Sequence, residues 1–235
     1  MTMKVGESMY TLAHRGLSRR FPENSLVAFK EALKSEFDGV ETDVQMTKDG
    51  QLVLLHDAKI NRTSTGKGKL ANYTYEELLQ YNFNNDHHGH YAICLLEDLL
   101  KLIKESKKIV NLEIKKEALS GTVEKTVALV ASMHLESQVY YSSASIAQLD
   151  TIKKLSPTSY CGYIVSHHLK KANAIIHDHH FDGIHARYSL LKFKDLLYYQ
   201  KVGVKVGAWT LKNKKDLLYF KENNIMFVFM NDFIL

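Results

Sequence analysis

Nine short apolar runs, separated by longer amphipathic stretches, constrain the fold of this chain more than any other feature of its sequence. In one of the intervening stretches Leu96, Leu99, Leu100 and Ile103 recur at the spacing of a single helix face. Strands that alternate with helices are typical of βα units and a parallel sheet. The apolar runs predict strands at residues 10–14, 39–44, 52–55, 109–114, 139–141, 160–165, 183–186, 204–209 and 225–229.

One of the nine predicted strands is an antiparallel addition to the parallel sheet. Residues 39–47 and 51–55 are joined by Lys48-Asp49-Gly50, which is typical of a tight hairpin. Eight βα repeats of roughly 30 residues remain, which predicts a single α/β domain over residues 1–235, a (β/α)8 TIM barrel. The alternative is a doubly wound open sheet, but the first strand is followed by no GxGxxG motif that would support a dinucleotide site.

Residues 57–93 interrupt this alternation. The segment is polar and rich in glycine and asparagine, and the next helix pattern begins only at Leu96. We predict a small insertion subdomain over the barrel mouth, after the second strand unit, where long loops tend to carry binding functions. The sequence leaves open whether this segment controls substrate choice or forms a contact in a homodimer.

Composition excludes several classes of protein. Hydrophobic residues make up 45% and charged residues 24% of the 235 residues, as in soluble globular proteins. Two cysteines are too few for a disulfide scaffold. The net charge of +5 comes from dispersed lysines, which is typical of a plain solvated surface. Such a charge would help to attract an anionic substrate, but it is too diffuse to indicate nucleic acid. With no secretory signal and no long apolar window, we predict no transmembrane segment and a cytoplasmic location.

Three carboxylates fall on two consecutive strands of the predicted barrel. Glu41 and Asp43 are two residues apart, so they share a face of their strand, and Glu113 lies near the end of the next barrel strand. Burial of several like charges is costly unless a cation compensates them, and oxygen ligands suit Mg²⁺ or Ca²⁺. A single pair would equally fit salt bridges at the barrel end, but three carboxylates favour a metal site.

Two histidines end strands at the same predicted face. His14 ends the first strand and His56 follows the hairpin. Two imidazoles in different protonation states are what general acid/base chemistry near neutral pH requires. Arg15, next to His14, offers a fork of donors that suits a phosphate group. Downstream, Asn24 is expected to cap the first helix.

These residues belong to an ordered series of short motifs. The motifs, in order, are His14-Arg15-Gly16, Pro22-Glu23-Asn24-Ser25, Glu41-Thr42-Asp43, Thr47-Lys48-Asp49-Gly50, His56-Asp57, Arg62-Thr63 and Glu113-Ile114-Lys115. The series resembles the glycerophosphodiester phosphodiesterase family. The resemblance is strongest over residues 10–81, and an ordered set is far more specific than any one motif.

The resemblance implies an activity and a set of site residues. The activity is hydrolysis of a glycerophosphodiester to sn-glycerol 3-phosphate and an alcohol, in which a glycerol hydroxyl attacks first and water then opens a cyclic phosphate. Glu23 is expected either near the substrate or as a group that stabilises the first helix. The other implied roles are acid/base catalysis by His14 and His56, a divalent cation held by Glu41, Asp43 and Glu113, and substrate binding by Arg15, Lys115 and Trp209.

Two other functions remain as alternatives. A phospholipase-type phosphodiesterase on a lipid head group would need an apolar rim, which the polar residues 57–93 do not suggest. A non-catalytic phosphate-binding barrel would have no need of both His14 and His56. The chain also departs from the family after its last strand, where Met230-Asn231-Asp232 replaces a Thr-Asp-Pro-like turn, so we assign no role to Asp232. The preferred head group and the native metal are not predicted.

Overall fold

The computed structural model describes residues 9–84 and 87–232. Strands and helices alternate along most of this part of the chain. The strands are β1 (Tyr10–His14), β2 (Gly39–Met46), β3 (Leu52–Leu54), β4 (Ile109–Ile114), β5 (Val139–Ser143), β6 (Cys161–Val165), β7 (Gly183–Arg187), β8 (Lys205–Leu211) and β9 (Phe227–Met230). The helices are α1 (Leu26–Lys34), α2 (Tyr75–Leu78), α3 (Leu96–Ser106), α4 (Thr122–Ser132), α5 (Ile146–Leu155), α6 (Leu169–His179), α7 (Phe193–Val202) and α8 (Lys214–Glu222).

The sheet is a closed barrel of eight parallel strands. Its order is β1-β9-β8-β7-β6-β5-β4-β2, and β1 pairs with β2 to complete the circle. The ninth strand, β3, pairs antiparallel with the end of β2, with Leu54 opposite Val44. The prediction of a TIM barrel with one additional hairpin strand is therefore confirmed, and closure rules out the doubly wound open sheet.

The helices follow the apolar patterns of the sequence. In α3, Leu96, Leu99, Leu100 and Ile103 are all fully buried against the barrel. Helix α1 begins differently from the prediction, because its N-cap is Ser25, whose hydroxyl accepts a hydrogen bond from the backbone of the first turn. The expected cap at Asn24 is wrong. That residue has a positive φ of 56° and its side chain turns into the barrel mouth.

The lower part of the barrel interior is filled with apolar and aromatic side chains. Leu12, Met226, Phe227 and Phe229 form a buried cluster, and several aromatic rings pack on it. Tyr140, for example, meets Phe227 edge-on at 5.1 Å between ring centroids. Because this cluster closes the floor, the open space of the barrel lies at the carboxyl ends of the strands, where TIM-barrel active sites occur.

Residues 57–93, as far as they are described, contain two 3₁₀ turns (Ile60–Arg62 and Leu70–Asn72) and the short helix α2, and no strand of the barrel wall. Their apolar side chains, together with Val53 of β3 and Leu55 just after it, form a cluster separate from the main core. Its buried members are Val53, Leu55, Ile60, Leu70, Leu78, Phe83 and Ile93. The division of the chain into a barrel and a separate insertion subdomain remains a prediction.

Candidate active site

A cavity of about 270 Å³ opens at the carboxyl ends of the barrel strands. It brings together seven of the nine predicted site residues. Asp43 lies buried beside it, 1% exposed, and Glu23 lies outside its lining. The residues that line the cavity are His14, Arg15, Glu41, His56, Asn111, Glu113, Lys115, Ser142, Ile164, Ser166, His185, Trp209 and Phe229.

The three predicted carboxylates converge at one side of this cavity. One oxygen from each of Glu41, Asp43 and Glu113 lies within 4.8 Å of the others. Side-chain alternation places Glu41 and Asp43 on the interior face of β2, and Asp43 stands opposite Glu113 on the neighbouring strand β4. The Lys115 ammonium lies 2.5 Å from a Glu113 oxygen and 3.3 Å from an Asp43 oxygen.

The charge of this cluster is only partly compensated. Burial and the nearby charges of Asp43 and Glu113 raise the pKa of Glu41 well above its ordinary value. Burial and Asp43 likewise raise the pKa of Glu113. For Asp43 burial acts in the same direction, but Arg15 and Lys115 outweigh it and lower its pKa. Three oxygen donors with excess negative charge fit a divalent cation such as Mg²⁺ or Ca²⁺.

Asn24 fixes one side of the acidic cluster. Its Nδ2 donates to an Asp43 oxygen at 3.0 Å, and its Oδ1 accepts from the Thr42 hydroxyl at 2.8 Å. The second oxygen of Asp43 is buried, and its one charged neighbour among the described residues is the Lys115 ammonium at 3.3 Å, too poorly aligned for a hydrogen bond. Since a buried carboxylate oxygen normally accepts a hydrogen bond, this unfilled position is a second reason that the cluster fits a cation.

His14, at the end of β1, faces the cavity with one nitrogen engaged. Its Nδ1 lies 2.7 Å from the amide oxygen of Asn231, and its Nε2 lies 3.9 Å from a Glu41 oxygen. An amide oxygen can only accept a hydrogen bond, so Nδ1 carries the hydrogen and Nε2 has a free lone pair. Burial, together with the positive charge of Arg15, lowers the pKa of His14 to about 4.

His56 reaches the same cavity by a different route. The antiparallel strand β3 brings the chain back toward the barrel, and His56 follows two residues later. Its Nδ1 lies 2.6 Å from Oδ1 of Asp57, whose other oxygen accepts from Arg62 at 2.7 Å. The hydrogen bonds from Arg62 lower the pKa of Asp57 to about 2, so His56 has an ionised carboxylate as its partner.

Glu23 lies behind Arg15 rather than against the cavity. It accepts from Arg15 at 2.9 Å and from both terminal nitrogens of Arg62 at 2.8 and 2.9 Å. The Arg15 Nε is in turn 3.1 Å from Asp43. Glu23 therefore holds together an arginine of the barrel and an arginine of residues 57–93, and its predicted contact with substrate stays a prediction.

Trp209 lies near the end of β8 and lines the cavity opposite the acidic cluster. Its indole N–H donates to the carbonyl oxygen of His185 at 2.9 Å. The guanidinium carbon of Arg187 lies 5.8 Å from the centroid of its ring, within the range of a cation–π contact. The indole is thus held on the neighbouring strand β7 by a hydrogen bond and by a charge.

Sequence reasoning missed two groups of the site. Asn231 was noted only as a departure from the family, and His185, which lines the cavity floor and is 2% exposed, was not considered. A signal existed for both, because Asn231 follows β9 and His185 lies on β7, at the face where the catalytic groups of a TIM barrel gather.

The fold and the cavity define a class of protein, namely a TIM-barrel enzyme whose site is built for an anionic, phosphate-type substrate. Guanidinium and ammonium groups, two imidazoles and a carboxylate set with the oxygen ligands of a divalent cation all meet at the carboxyl ends of its strands. Among the described residues no helix is long and apolar enough to cross a membrane.

Comparisons with known proteins identify the family within this class. Residues 14–234 match the model of the Glycerophosphoryl diester phosphodiesterase family. A glycerophosphodiester phosphodiesterase of Caldanaerobacter subterraneus is 32% identical over 219 residues, covering 88% of this chain and 87% of the relative. One of Bacillus altitudinis is 39% identical over 151 residues, which is 62% of each protein. The chain therefore belongs to the glycerophosphodiester phosphodiesterase family, a family of phosphodiester hydrolases.

Solved structures agree with this assignment. An Oleispira antarctica phosphodiesterase, in complex with the product sn-glycerol-3-phosphate, has a TM-score of 0.84 at 25% identity, over 95% of this chain and 93% of that one. A glycerophosphodiester phosphodiesterase of Agrobacterium tumefaciens has a TM-score of 0.82 at 19% identity, over 95% and 96% of the two chains, which shows the shared fold.

Proposed function

We propose that this protein hydrolyses glycerophosphodiesters to sn-glycerol 3-phosphate and an alcohol, with a divalent cation and with His14 and His56 as its acid/base pair. The observation that carries the proposal is the meeting of both imidazoles and the acidic cluster in one cavity. Each imidazole has its Nδ1 engaged, by Asn231 or by Asp57, so each has its Nε2 available to a substrate.

The two partners suggest different proton-transfer roles. Asn231 offers His14 a neutral amide, which stabilises a positive ring less than burial and Arg15 disfavour it, and the pKa of His14 is lowered to about 4. A neutral imidazole of this kind suits a general base. Asp57 offers His56 an ionised carboxylate as its partner at 2.6 Å, and we assign His56 the role of general acid.

In the proposed first step, Nε2 of His14 accepts the proton of the glycerol hydroxyl next to the phosphoester. The oxygen of that hydroxyl bonds to phosphorus, and the bond from phosphorus to the alcohol oxygen breaks. His56 donates a proton to the departing alkoxide, which leaves as the alcohol. Water then opens the cyclic glycerol phosphate with the two histidines in exchanged roles, and sn-glycerol 3-phosphate is released.

Glu41, Asp43 and Glu113 would hold the cation, and Asn24 would keep Asp43 in place. A bound divalent cation neutralises phosphate charge and lowers the pKa of a coordinated hydroxyl. Arg15 and Lys115, which line the same cavity, are the proposed phosphate-binding groups. Trp209 is the proposed contact for glycerol or for the leaving alcohol.

The histidines can be tested separately from the metal. We expect His14→Ala and His56→Ala each to lower release of glycerol 3-phosphate from glycerophosphoglycerol by roughly 10²–10⁴-fold, with the double variant hardly slower than either single one. Mg²⁺ and Ca²⁺ affinities, measured by calorimetric titration, should stay within a few-fold of wild type. His177→Ala is the matched control, because His177 lies exposed on α6 away from the mouth.

Near wild-type turnover in either single variant would contradict its acid/base role. Loss of metal affinity would instead make that imidazole a ligand. If EDTA leaves the activity of the wild-type enzyme unchanged, the proposed metal dependence is wrong.

Three finer predictions also belong to this proposal: a cytoplasmic location, a homodimer, and a role in glycerol and lipid metabolism.

A further inference from the structure

The charges around the barrel mouth are distributed unevenly. The loops that follow β6, β7 and β8 contain no aspartate or glutamate. They carry instead a set of exposed basic side chains, which we name the basic rim. Its members are His167, His168, Arg187, Lys192 and Lys212.

Arg187 is the member of the basic rim that contacts a side chain of the cavity wall. It ends β7, two residues beyond His185, so alternation places its side chain on the same face as that cavity-lining ring. Its guanidinium lies 5.8 Å from the centroid of the Trp209 ring, which also lines the cavity. No carboxylate within residues 9–84 and 87–232 forms an ion pair with Arg187, so its charge is available to a ligand.

The acidic residues nearest to these loops are already engaged. Asp195 accepts from the backbone N–H of Lys192 at the start of α7. The Asp216 carboxylate accepts from the side-chain amide of Asn213, the residue that caps α8. Asp232 pairs with Arg20 at 3.0 Å. None of them neutralises the basic rim.

A cationic alcohol group would therefore be poorly accommodated on this side of the cavity. A quaternary ammonium group is usually bound by aromatic faces and nearby carboxylates, but here Arg187 already lies over the indole of Trp209. On the opposite side of the mouth, Glu23 and Asp57 are held by Arg62. The exposed Glu117 follows β4, beyond the acidic cluster and away from the basic rim.

We propose that the basic rim, with Arg187 at its centre, is a subsite for a second anionic group on the leaving alcohol. This rests on the proposed function, because the scissile phosphodiester must bind beside the acidic cluster for its alcohol to extend toward β6, β7 and β8. The favoured substrate class is a glycerophosphodiester whose alcohol bears a further phosphodiester, and the disfavoured class has a choline-like alcohol.

Three substrates that differ in the alcohol test the inference. Bis(glycerophospho)glycerol has an anionic alcohol, glycerophosphoglycerol a neutral one and glycerophosphocholine a cationic one. For the wild-type enzyme we expect kcat/KM, per scissile bond, to be roughly tenfold higher for the anionic than for the neutral alcohol, and lowest for the cationic one. Higher salt should reduce this preference, because screening weakens interactions between exposed charges.

Substitutions at Arg187 test whether the basic rim causes the preference for an anionic leaving alcohol. We expect Arg187→Gln to bring the anionic-to-neutral ratio of kcat/KM close to one, Arg187→Lys to keep most of it, and Arg187→Glu to shift the preference toward glycerophosphocholine. Lys205→Gln is the matched control, because Lys205 is an exposed cation at the opposite end of the barrel, at the start of β8. It should leave every ratio unchanged.

The outcomes separate this inference from the proposed function. If the wild-type enzyme hydrolyses none of the three substrates, the proposed function fails. If it hydrolyses glycerophosphoglycerol without preferring the anionic alcohol, the function stands and the subsite is refuted. A preference that survives both Arg187→Gln and Arg187→Glu would also overturn the assignment.

Discussion

The Nδ1 atom of His14 lies 2.7 Å from the amide oxygen of Asn231, which joins the end of the first barrel strand to the residue after the last. This contact exists only because β1 and β9 pair and close the barrel. It orients the imidazole and leaves Nε2 toward the cavity. His56 has the corresponding contact with a carboxylate, so the two histidines differ in the charge of their partners.

Replacement of Asn231 should therefore affect catalysis more than substrate binding. We expect Asn231→Ala to lower kcat by roughly tenfold to a hundredfold, a part of the ~10²–10⁴-fold that an acid/base group contributes, with little change in KM. Asn231→Asp should keep the His14 ring in its orientation, but its carboxylate should stabilise the imidazolium form of His14. The acidic limb of its pH–rate profile should then move to higher pH.

The control for these variants is Asp232→Asn, which changes the adjacent residue and its contact with Arg20. It should leave the pH profile where it is in wild type. A loss of kcat in Asn231→Ala that is fully accounted for by a lower folded fraction, measured by urea unfolding, would remove the positioning role.

The barrel and most of the acidic cluster could be predicted because both depend on local periodicity. Alternation along β2 puts Glu41 and Asp43 on one face, and parallel pairing with β4 brings Glu113 to them. The partner of His14 could not be found in this way, since Asn231 is 217 residues away in sequence. That contact depends on closure of the sheet, and no local sequence pattern predicts it.

Two further features also depend on non-local geometry. Asn24 was expected to cap α1 by residue type alone, but its left-handed backbone turns the amide toward Asp43. Arg62 reaches both Glu23 and Asp57 only because residues 57–93 fold back over the barrel mouth. Neither arrangement follows from composition or from hydrophobic period.

Asn24 should matter for metal affinity although it is not a proposed ligand. It donates to Asp43 at 3.0 Å and so orients one member of the acidic cluster. Removal of such an outer partner typically costs roughly 10–100-fold in metal affinity, and we expect that loss for Mg²⁺ or Ca²⁺ in Asn24→Ala. Asp43→Asn, which changes a proposed ligand itself, should lose more metal affinity than Asn24→Ala.

Asn213→Ala is the matched control for this titration, because Asn213 caps α8 and is not part of the acidic cluster. It should lower stability by about 1 kcal/mol and leave metal affinity as it is. Equal metal affinities in Asn24→Ala and wild type, measured by calorimetry, would argue against the proposed link through Asp43.

Glu23 should couple residues 57–93 to the barrel. It accepts hydrogen bonds from Arg15 and Arg62, and each of these bonds joins two charged groups. We expect Glu23→Gln to destabilise the protein by about 1–3 kcal/mol and to speed proteolytic cleavage within residues 57–93. Glu31→Gln, at the exposed i,i+3 pair with Lys34, should change stability by no more than about 0.5 kcal/mol and leave the rate of cleavage as it is in wild type. Unchanged stability and cleavage in Glu23→Gln would contradict the coupling.

His185 should make the protein less stable in mild acid. Burial lowers its pKa to about 3 from an ordinary value of 6.5, and its Nε2 lies 3.2 Å from the Tyr160 hydroxyl in the barrel floor. Below pH 6.5 the unfolded chain binds a proton at this residue and the folded protein does not. The contribution of the neutral His185 ring to the unfolding free energy is therefore fully present above pH 6.5, and it decreases as the pH falls toward 3.

The expected loss from His185 is about 1.4 kcal/mol of unfolding free energy between about pH 7.5 and pH 5.5. His185→Phe keeps a ring between Gly162 and Gly207, which leave no room for a side chain of their own, but it cannot titrate. Urea unfolding of both proteins at the two pH values isolates this contribution. The other titrating groups are the same in wild type and variant, so their effect on the unfolding free energy cancels when the two proteins are compared. The variant should be less destabilised relative to wild type at pH 5.5 than at pH 7.5, by about 1.4 kcal/mol. An equal difference at both pH values would mean that His185 is not held neutral in the folded protein.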